Sequence, residues 1–294
     1  MESIQLRGVP YQFSTSIREE GLCQSFNQLT QLTYGFDFTG WQAAGLWTHR
    51  YQPHCLLYGG QVVANVSVNR MRFLWGDKSL SMIQLGTVMT HPDFRGQGLS
   101  RYLMERVLRE WAGKADLVYL FANHTVLDFY PKFGFVPVGQ TLFSWEIPAG
   151  RKGEARHLNP EREEQLIRHL AERGKPQGPI QMVDNCQLAL FHLLGPYRDC
   201  LYHLPQLDAL AVAQREGDTL LLWEVFAPGP APLDEVLAAL AQPGVTRAVF
   251  GFTPWGEGFC QTALPGEDDQ LFAQGPALSL LGKKPFRFPA LSHA

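Results

Sequence analysis

The sequence predicts an α/β (α+β) protein built from two domains, on the basis of three observations. The chain has 294 residues, which suits two domains better than one. Residues 81–135 read as an apolar strand, a glycine-rich turn, an amphipathic helix, a second apolar strand and a short aromatic helix. Residues 207–252 repeat part of that order. We therefore expect one domain at residues 1–150, a second at 151–294, and a linker rich in proline and glycine at 148–160.

The elements of the first half follow from its periodicity. Helical spacing of apolar residues predicts a helix over residues 17–32, and apolar runs predict strands over 55–57, 62–71, 81–89, 117–122 and 140–147. The pairs Gly59-Gly60 and Gly76-Asp77 lie between strands and indicate hairpin turns.

The second half shows similar signals. Residues 207–215 and 219–226 flank Gly217-Asp218 and predict a hairpin, which is followed by a helix over 233–241 and a strand over 247–252. We expect this half to repeat the strand, turn, helix, strand order of the first.

The helix after residue 98 begins with a turn made of Arg95, Gly96, Gln97, Gly98, Leu99 and Ser100. Amides of a glycine turn that opens a helix point outward at the positive end of the helix dipole, which suits a phosphate group. A dinucleotide motif would need a third glycine where Arg101 stands, and a P-loop would need Lys-Ser or Lys-Thr after Gly98. The turn therefore predicts a diphosphate ligand of another kind.

Two motifs in sequence order resemble the acetyltransferases related to the Gcn5 enzyme, the GNAT superfamily. The turn matches the pattern R-x-x-G-x-[GA], with Ser100 where glycine or alanine is usual. Asn123 then follows the next strand, and Tyr130 precedes a Pro-Lys-Phe-Gly-Phe segment. The resemblance covers about the first half of the chain and is closest to the tandem-domain amine acetylators of the enhanced-intracellular-survival group.

This resemblance implies an N-terminal GNAT fold with a mixed, splayed central sheet and a C-terminal, degenerate GNAT-like α/β domain. In the GNAT fold, strands corresponding to residues 85–90 and 117–122 are parallel neighbours that part, and the turn at residues 95–100 holds the pyrophosphate of coenzyme A. The pantetheine arm pairs with the main chain of the first strand, here Val88, Met89 and Thr90. The corresponding turn of the second half, residues 227–232, contains three prolines, which lack an amide N–H. We expect that domain to bind no coenzyme A.

The resemblance also implies roles for single residues. Tyr130 is the predicted general acid, because a phenol is protonated at neutral pH and can protonate the departing thiolate; the alternative is a packed tyrosine. Asn123 would bind the pantetheine arm or a bridging water, or would cap a turn. The carboxylate of Ala294 is expected to reach the active site, as in the tandem-domain group. His91 is the other candidate base, although the following Pro92 suggests a surface turn.

The segment from Tyr34 to Trp47 is rich in aromatic residues. If the resemblance holds, these rings line the acceptor pocket and could hold an organic cation or the apolar body of an amine. Packing against the first helix is the alternative explanation for some of them.

Composition limits the partners. The formal net charge is -3 and no basic run is present, so we expect no nucleic acid partner. Neither a signal-like apolar core at the N-terminus nor a membrane-length apolar run occurs, so the sequence predicts a cytoplasmic protein without a membrane partner. Cys186, His192, Cys200 and His203 do not have the spacing of a usual zinc site, so we expect no metal and assign these residues to core packing.

The leading interpretation is an N-acetyltransferase. It would move an acetyl group from acetyl-coenzyme A, a co-substrate, to a primary amine of a small molecule or peptide by direct attack. The alternative is an acyl-coenzyme A binding or sensing module with little activity, because no general base stands out. The sequence does not identify the acceptor and is compatible with a homo-oligomer.

Overall fold

The computed structural model describes residues 1–147, 153–266 and 269–294. Its strands are β1 (Glu2–Leu6), β2 (Val9–Ser14), β3 (Tyr51–Tyr58), β4 (Gln61–Trp75), β5 (Lys78–Thr90), β6 (Leu117–Ala122), β7 (Val136–Pro137), β8 (Thr141–Glu146), β9 (Arg156–His157), β10 (Ile180–Val183), β11 (Leu201–Leu204), β12 (Ala209–Glu216), β13 (Thr219–Phe226), β14 (Arg247–Phe250), β15 (Cys260–Ala263) and β16 (Gln270–Gln274). Its α-helices are α1 (Glu20–Tyr34), α2 (Thr39–Ala43), α3 (Leu99–Trp111), α4 (Pro160–Arg173), α5 (Cys186–Leu194) and α6 (Leu233–Leu240).

The first sheet follows the predicted mixed pattern. Its strand order is β1-β2-β3-β4-β5-β6-β16-β7, with β10 paired to the end of β4. Strands β5 and β6 are joined by α3 and are parallel, as the sequence predicts. Their pairing runs only from Met82 opposite Leu117 to Gln84 opposite Tyr119. Beyond Gln84 the two strands part, and we call this gap the opening.

The second sheet repeats the central motif of the first. Its order is β15-β8-β14-β13-β12-β11-β9. Strands β13 and β14 are parallel and joined by α6, as β5 and β6 are joined by α3. The predicted hairpin, helix and strand of the second half are confirmed, with β14 two residues shorter than expected. The fold is thus mixed α+β, and its two halves share one topology.

The two sheets exchange their last strands. The strand predicted at residues 140–147 forms as β8, but it inserts between β14 and β15 of the second sheet and does not join the sheet of its own half. In return, β16 from the second half inserts between β6 and β7. Phe143 of β8 packs in the second core and Phe272 of β16 in the first. The sequence analysis predicted β8 but not β16, and it did not predict the sheet that either strand joins.

The structure describes only part of the linker predicted at residues 148–160. Residues 148–152, which contain the expected domain boundary, lie outside the described residues. Within the remainder of the predicted linker, Arg156 and His157 form the short strand β9, and Pro160 is the first residue of α4.

The C-terminal segment lies between the two sheets. Phe288 stacks on Tyr119 of the first sheet with ring centroids 4.8 Å apart. On the second sheet, Arg287 Nη1 donates to the main-chain oxygen of Phe250 at 2.6 Å, and the Ala290 amide donates to the oxygen of Gly251 at 2.8 Å. These contacts dock the segment on both sheets, and the last residue lies against Gln84 of the first sheet.

Candidate active site

The glycine turn before α3 presents a row of unpaired amides. Gly96 and Gly98 have φ angles of 72° and 86°, a left-handed conformation that favours glycine. Gly98 is the N-cap of α3. Within the described residues, none of the amides at positions 96–100 donates a hydrogen bond. Together with the helix dipole, these amides form an anion-binding turn that fits a pyrophosphate.

Side chains from the first hairpin hold this turn in place. Tyr11 donates its hydroxyl to Gln97 Oε1 at 2.7 Å, and Arg7 Nη1 donates to the oxygen of Gly96 at 3.1 Å. The predicted role for Gln97 is therefore limited to its amide, because its side chain is bound to Tyr11. This support from β1 and β2 keeps the amides oriented without a ligand.

Ser100 and Arg95 connect the turn to the end of β5. The hydroxyl of Ser100 lies 2.6 Å from the hydroxyl of Thr90. Arg95 Nε donates to the main-chain oxygen of Thr90 at 3.3 Å. Serine in place of the usual glycine or alanine thus adds a contact between the turn and the strand.

A bulge in β5 accompanies the opening. Asn65 and Ser67 on β4 pair with Met89 and Gly86, so β5 carries an extra residue between them, and Thr87 has a φ of 44°. Asn65 Nδ2 donates to the oxygen of Thr87 at 2.9 Å. Because bulges bend a strand and increase its twist, this one turns the end of β5 away from β6.

The main-chain groups of β5 alternate between β4 and the opening. The amide of His91 donates to Val63 on β4 at 2.8 Å. Two residues earlier, the main-chain groups of Met89 also point toward β4. Those of Val88 and Thr90 therefore point into the opening. Of the three residues predicted to contact pantetheine, Val88 and Thr90 therefore direct their main-chain groups into the opening.

Tyr130 begins a short 3₁₀ helix that packs against β16. Its side chain is 5% exposed, and its ring contacts Phe129, Phe135 and Phe272. Burial raises the pKa of Tyr130 to about 12. Its hydroxyl makes no hydrogen bond to another described residue. The phenol is protonated at neutral pH and is free to donate.

A second phenol lies at the opening. The hydroxyl of Tyr34, at the end of α1, donates to the oxygen of Val88 at 2.9 Å. Desolvation, and then the nearby Tyr130, raise the pKa of Tyr34. The sequence indicated an aromatic segment here but no contact with β5.

Asn123 and His91 are at the ends of their strands. Asn123 Oδ1 accepts from the amide and the hydroxyl of Thr125, at 3.0 and 2.6 Å, which is the capping alternative. His91 lies on a surface turn, where Nδ1 accepts weakly from the amide of Asp93 at 3.4 Å. His91 is thus outside the opening, as Pro92 suggested.

The last residue docks beside the opening. Gln84 makes two hydrogen bonds to Ala294, donating Nε2 to its main-chain oxygen at 3.0 Å and accepting from its amide at 3.1 Å. A Cβ on Gly86 would lie 2.7 Å from the same oxygen. The buried Nδ2 of Asn69 has no hydrogen-bond partner in the described chain.

Sequence reasoning missed Gln84, Gly86 and Asn69. The available signal was a glutamine and a glycine inside the apolar run from Met82 to Met89. Such a polar side chain in a buried strand requires a partner.

The aromatic segment after α1 is mostly core. Phe38 and Trp41 are buried and contact Tyr51 on β3 and Phe191 on α5. The expectation that this segment lines the acceptor pocket is therefore corrected for these rings, since hydrophobic burial favours their packing under α5. Tyr34 and Phe36 keep substantial exposure, at 41% and 43%.

The described residues contain no group of three His, Cys, Asp or Glu side chains that could hold a metal. Cys186 and His192 lie on α5, Cys200 directly precedes β11, and His203 lies on β11.

No helix in the described part of the chain has the length and apolarity needed to cross a membrane.

Comparison with known proteins finds a domain model that matches most of the first half of the chain. Residues 19–138 match the model of the acetyltransferase (GNAT) domain. The chain is 25% identical over 217 residues to the tRNA(Met) cytidine acetyltransferase TmcA of Nitrosococcus halophilus, covering 61% of this chain. It is 38% identical over 50 residues, 17% of this chain, to the uncharacterized N-acetyltransferase ycf52 of Gracilaria tenuistipitata. The chain spans 28% of the length of each of these relatives.

Solved structures share the fold over most of the chain. A probable N-acyltransferase from Enterococcus faecalis aligns with a TM-score of 0.59 at 15% identity, over 91% of this chain and 73% of that one. Eis1 from Mycobacterium abscessus aligns with a TM-score of 0.57 at 14% identity, over 92% and 74%. Together with the matched domain, this likeness confirms the fold that the two sequence motifs predicted. Residues 19–138 thus match the model of an acetyltransferase (GNAT) domain, and the chain shares the fold of these solved structures over about nine-tenths of its length.

Proposed function

We propose that this protein transfers an acetyl group from acetyl-coenzyme A to a primary amine of a small molecule or peptide, by direct attack of the amine. The observation that supports this most is the joint presence of an anion-binding turn, an opening between parallel strands and a buried, protonated phenol. Acetyl-coenzyme A supplies an activated thioester carbonyl.

The turn at residues 95–100 is proposed to hold the pyrophosphate. Its five unpaired amides would donate hydrogen bonds to the phosphate oxygens, without the help of a charged side chain. The pantetheine arm would then follow the opening along β5, where Val88 and Thr90 present main-chain groups. Because Tyr34 donates to the oxygen of Val88 and Arg95 to that of Thr90, both side chains would compete with the arm for these oxygens.

The reacting carbonyl would lie at the start of the opening, near the bulge. An amide of the bulged strand can polarise its oxygen, an oxyanion-type contact of about 3 kcal/mol in comparable enzymes. Attack by the amine nitrogen forms the C–N bond and breaks the C–S bond. Tyr130 is proposed to give its phenolic proton to the departing thiolate, and to be reprotonated from solvent.

The attacking amine must first lose a proton. In a protein whose chain ends at Ala294, the terminal carboxylate would stand next to Gln84 and Gly86 at the opening, and we propose it as the acceptor of that proton. The unpaired Nδ2 of Asn69 lies beside the same group and could orient it or a bridging water. Asn123 is proposed to contribute its Nδ2 to the pantetheine arm, because its oxygen is engaged in the cap.

The proposal is tested by following the release of free coenzyme A from acetyl-coenzyme A with a panel of primary amines, aminoglycosides and peptide N-termini. We expect release with at least one class, accompanied by the N-acetyl product in mass spectrometry. Tight binding of acetyl-coenzyme A without release across the panel would favour the sensing module instead. No calorimetric binding of acetyl-coenzyme A would reject both readings.

A further inference from the structure

A cavity of about 470 Å³ lies between the two sheets, away from the opening. The end of β4, the segment after α4, the start of α5 and the C-terminal segment all contribute to its wall. Glu224 on β13 is part of the lining although it is only 4% exposed. A buried carboxyl group that faces a cavity requires an explanation, since burial of an unpaired acid is costly.

The carboxyl group of Glu224 has almost no partner in the protein. Its Oε1 accepts from the neighbouring amide of Val225 at 3.2 Å. No hydrogen bond or ion pair to its Oε2 occurs among the described residues. Arg72, at the mouth of the cavity, pairs with Asp184 instead. One strong acceptor is therefore left facing the cavity.

The rest of the lining defines what could bind there. Apolar surface comes from Leu74, Met182, Ala189, Phe226 and Leu291. The other charged or titratable lining groups are Arg72, Glu172, Lys175, Asp184 and Cys186. Burial raises the pKa of the Cys186 thiol to about 11, so this group is neutral at pH 7. These acids do not form, among the described residues, a group of three that could hold a metal ion, so the cavity is a poor site for a divalent metal.

We propose that this cavity binds a small organic ammonium ion, whose charged head contacts Glu224 and whose apolar body lies on the surrounding side chains. An ammonium group supplies the N–H donors that Oε2 lacks and forms a charge-assisted hydrogen bond in a site of low dielectric. The site is separate from the acceptor site and does not depend on the proposed acetyl transfer. Because Pro289, Leu291 and Ser292 also line the cavity, its ligand would touch the segment that carries Ala294.

Ammonium binding has a signature in proton release. Desolvation raises the pKa of Glu224 to about 8, so its carboxyl group is mostly protonated at pH 7. An ammonium ion favours the carboxylate, and the carboxyl proton goes to the buffer. Binding at pH 7 should therefore release a proton, approaching one per ligand.

The test is calorimetric titration of the full chain at pH 7 with n-pentylammonium chloride, in two buffers of different ionisation enthalpy. We expect saturable binding with proton release, and none with 1-pentanol or pentanoate at the same concentrations. Glu224→Gln keeps the shape and should weaken binding about ten- to hundredfold. Glu172→Gln, which removes an exposed acid at the rim, should change affinity less than about threefold.

Several outcomes would overturn the proposal. They are equal binding of 1-pentanol, binding without proton release, and affinity that survives in Glu224→Gln, which would assign the amine to another site. If Glu224→Gln does not fold, the buffer comparison on the unaltered protein decides alone. The measurement needs no turnover, so its failure is distinct from failure of the acetyltransferase proposal.

Discussion

The hydroxyl of Tyr34 donates a 2.9 Å hydrogen bond to the main-chain oxygen of Val88, across the opening where β5 leaves β6. The contact links the end of α1 to β5. If the proposed coenzyme arm pairs with β5, it competes with Tyr34 for this oxygen.

Tyr34→Phe should strengthen coenzyme A binding about two- to tenfold, because a net hydrogen bond of about 0.5–1.5 kcal/mol no longer has to be broken. Calorimetric titration measures the change. Tyr202→Phe, which alters a phenol in the second sheet, serves as the control and should leave affinity unchanged. Weaker binding in Tyr34→Phe would mean that the hydroxyl contacts the bound coenzyme instead.

Gly98→Val should abolish coenzyme A binding. The side chain would cover the amides that face the pyrophosphate, and φ of 86° strains any residue with a branched Cβ. Titration with coenzyme A gives the affinity, and a thermal melt gives the stability.

The matched control is Gly217→Val, in the hairpin turn between β12 and β13, where φ is 61°. Both substitutions introduce the same backbone strain, of about 1–3 kcal/mol. Only the variant at residue 98 should lose the ligand. Retained affinity in Gly98→Val would remove the turn from the coenzyme site.

The sequence predicted local elements better than it predicted their partners. The turn at Gly98 and the hairpins at Gly60 and Gly217 are encoded within a few residues, because glycine permits their left-handed conformations. The exchange of β8 and β16 is not encoded locally. Phe143 and Phe272 are both apolar residues in short strands, and only the assembled cores decide which sheet buries each one.

The candidate site was predictable where a single segment supplies it. The amides of the turn and the phenol of Tyr130 belong to contiguous motifs. The contacts of Tyr34 with Val88 and of Gln84 with Ala294 join residues 54 and 210 positions apart. No periodicity or turn signal reports such long-range pairs, so the sequence left them open.

Tyr130→Phe should lower turnover by a factor of about a hundred to ten thousand, the usual contribution of a general acid. Coenzyme affinity should stay nearly constant, because the ring keeps its contacts with Phe129 and Phe272. Single-turnover kinetics separate the two effects. Since burial holds the pKa of Tyr130 at about 12, loss of its proton should not limit the rate of the unaltered enzyme below about pH 11.

Tyr34→Phe is the matched control for this experiment, because the two phenols are neighbours at the opening. Its turnover should stay within a few-fold of the unaltered enzyme. Normal turnover in Tyr130→Phe with a large loss in Tyr34→Phe would assign the proton donor to Tyr34. Normal turnover in both variants would make solvent the donor.

Acid should loosen the C-terminal segment. Burial, followed by the charges of His192 and Arg287, lowers the pKa of His293 to about 3, and burial lowers that of His192 to about 4. Unfolded histidine has a pKa near 6.5. The unfolded chain therefore binds more protons between pH 6.5 and pH 3, and stability is full above pH 6.5 and falls as the pH drops through this window.

His293→Phe keeps an aromatic ring to stack on Phe121, whose ring centroid lies 3.7 Å from that of His293, but it cannot titrate. At pH 5 it should avoid a loss of about 2 kcal/mol that the unaltered protein suffers. Melting curves at pH 7.5 and pH 5 measure the difference. Parallel curves for both proteins would show that His293 is not neutral and buried in solution.

Gly86→Ala tests whether the docked position of Ala294 matters for turnover. The added methyl group would lie 2.7 Å from the main-chain oxygen of Ala294, closer than carbon and oxygen can approach, so the last residue has to move. A displacement of about 1 Å at a reacting group can cost a hundredfold in rate. Coenzyme affinity should persist, because the turn at Gly98 is untouched. Gly139→Ala, whose methyl group would meet nothing within 4 Å, is the control.

The chemical role of Ala294 then requires a change of charge alone. In a protein whose chain ends at this residue, C-terminal amidation keeps the hydrogen bonds to Gln84 and removes the carboxylate. If the carboxylate accepts the proton of the amine, amidation should lower turnover as much as Gly86→Ala does. The loss should shrink at high pH, where the amine arrives unprotonated. Loss in Gly86→Ala with full activity after amidation would mean that the segment only shapes the acceptor site. Normal turnover in both would leave the base to a bound water near Asn69.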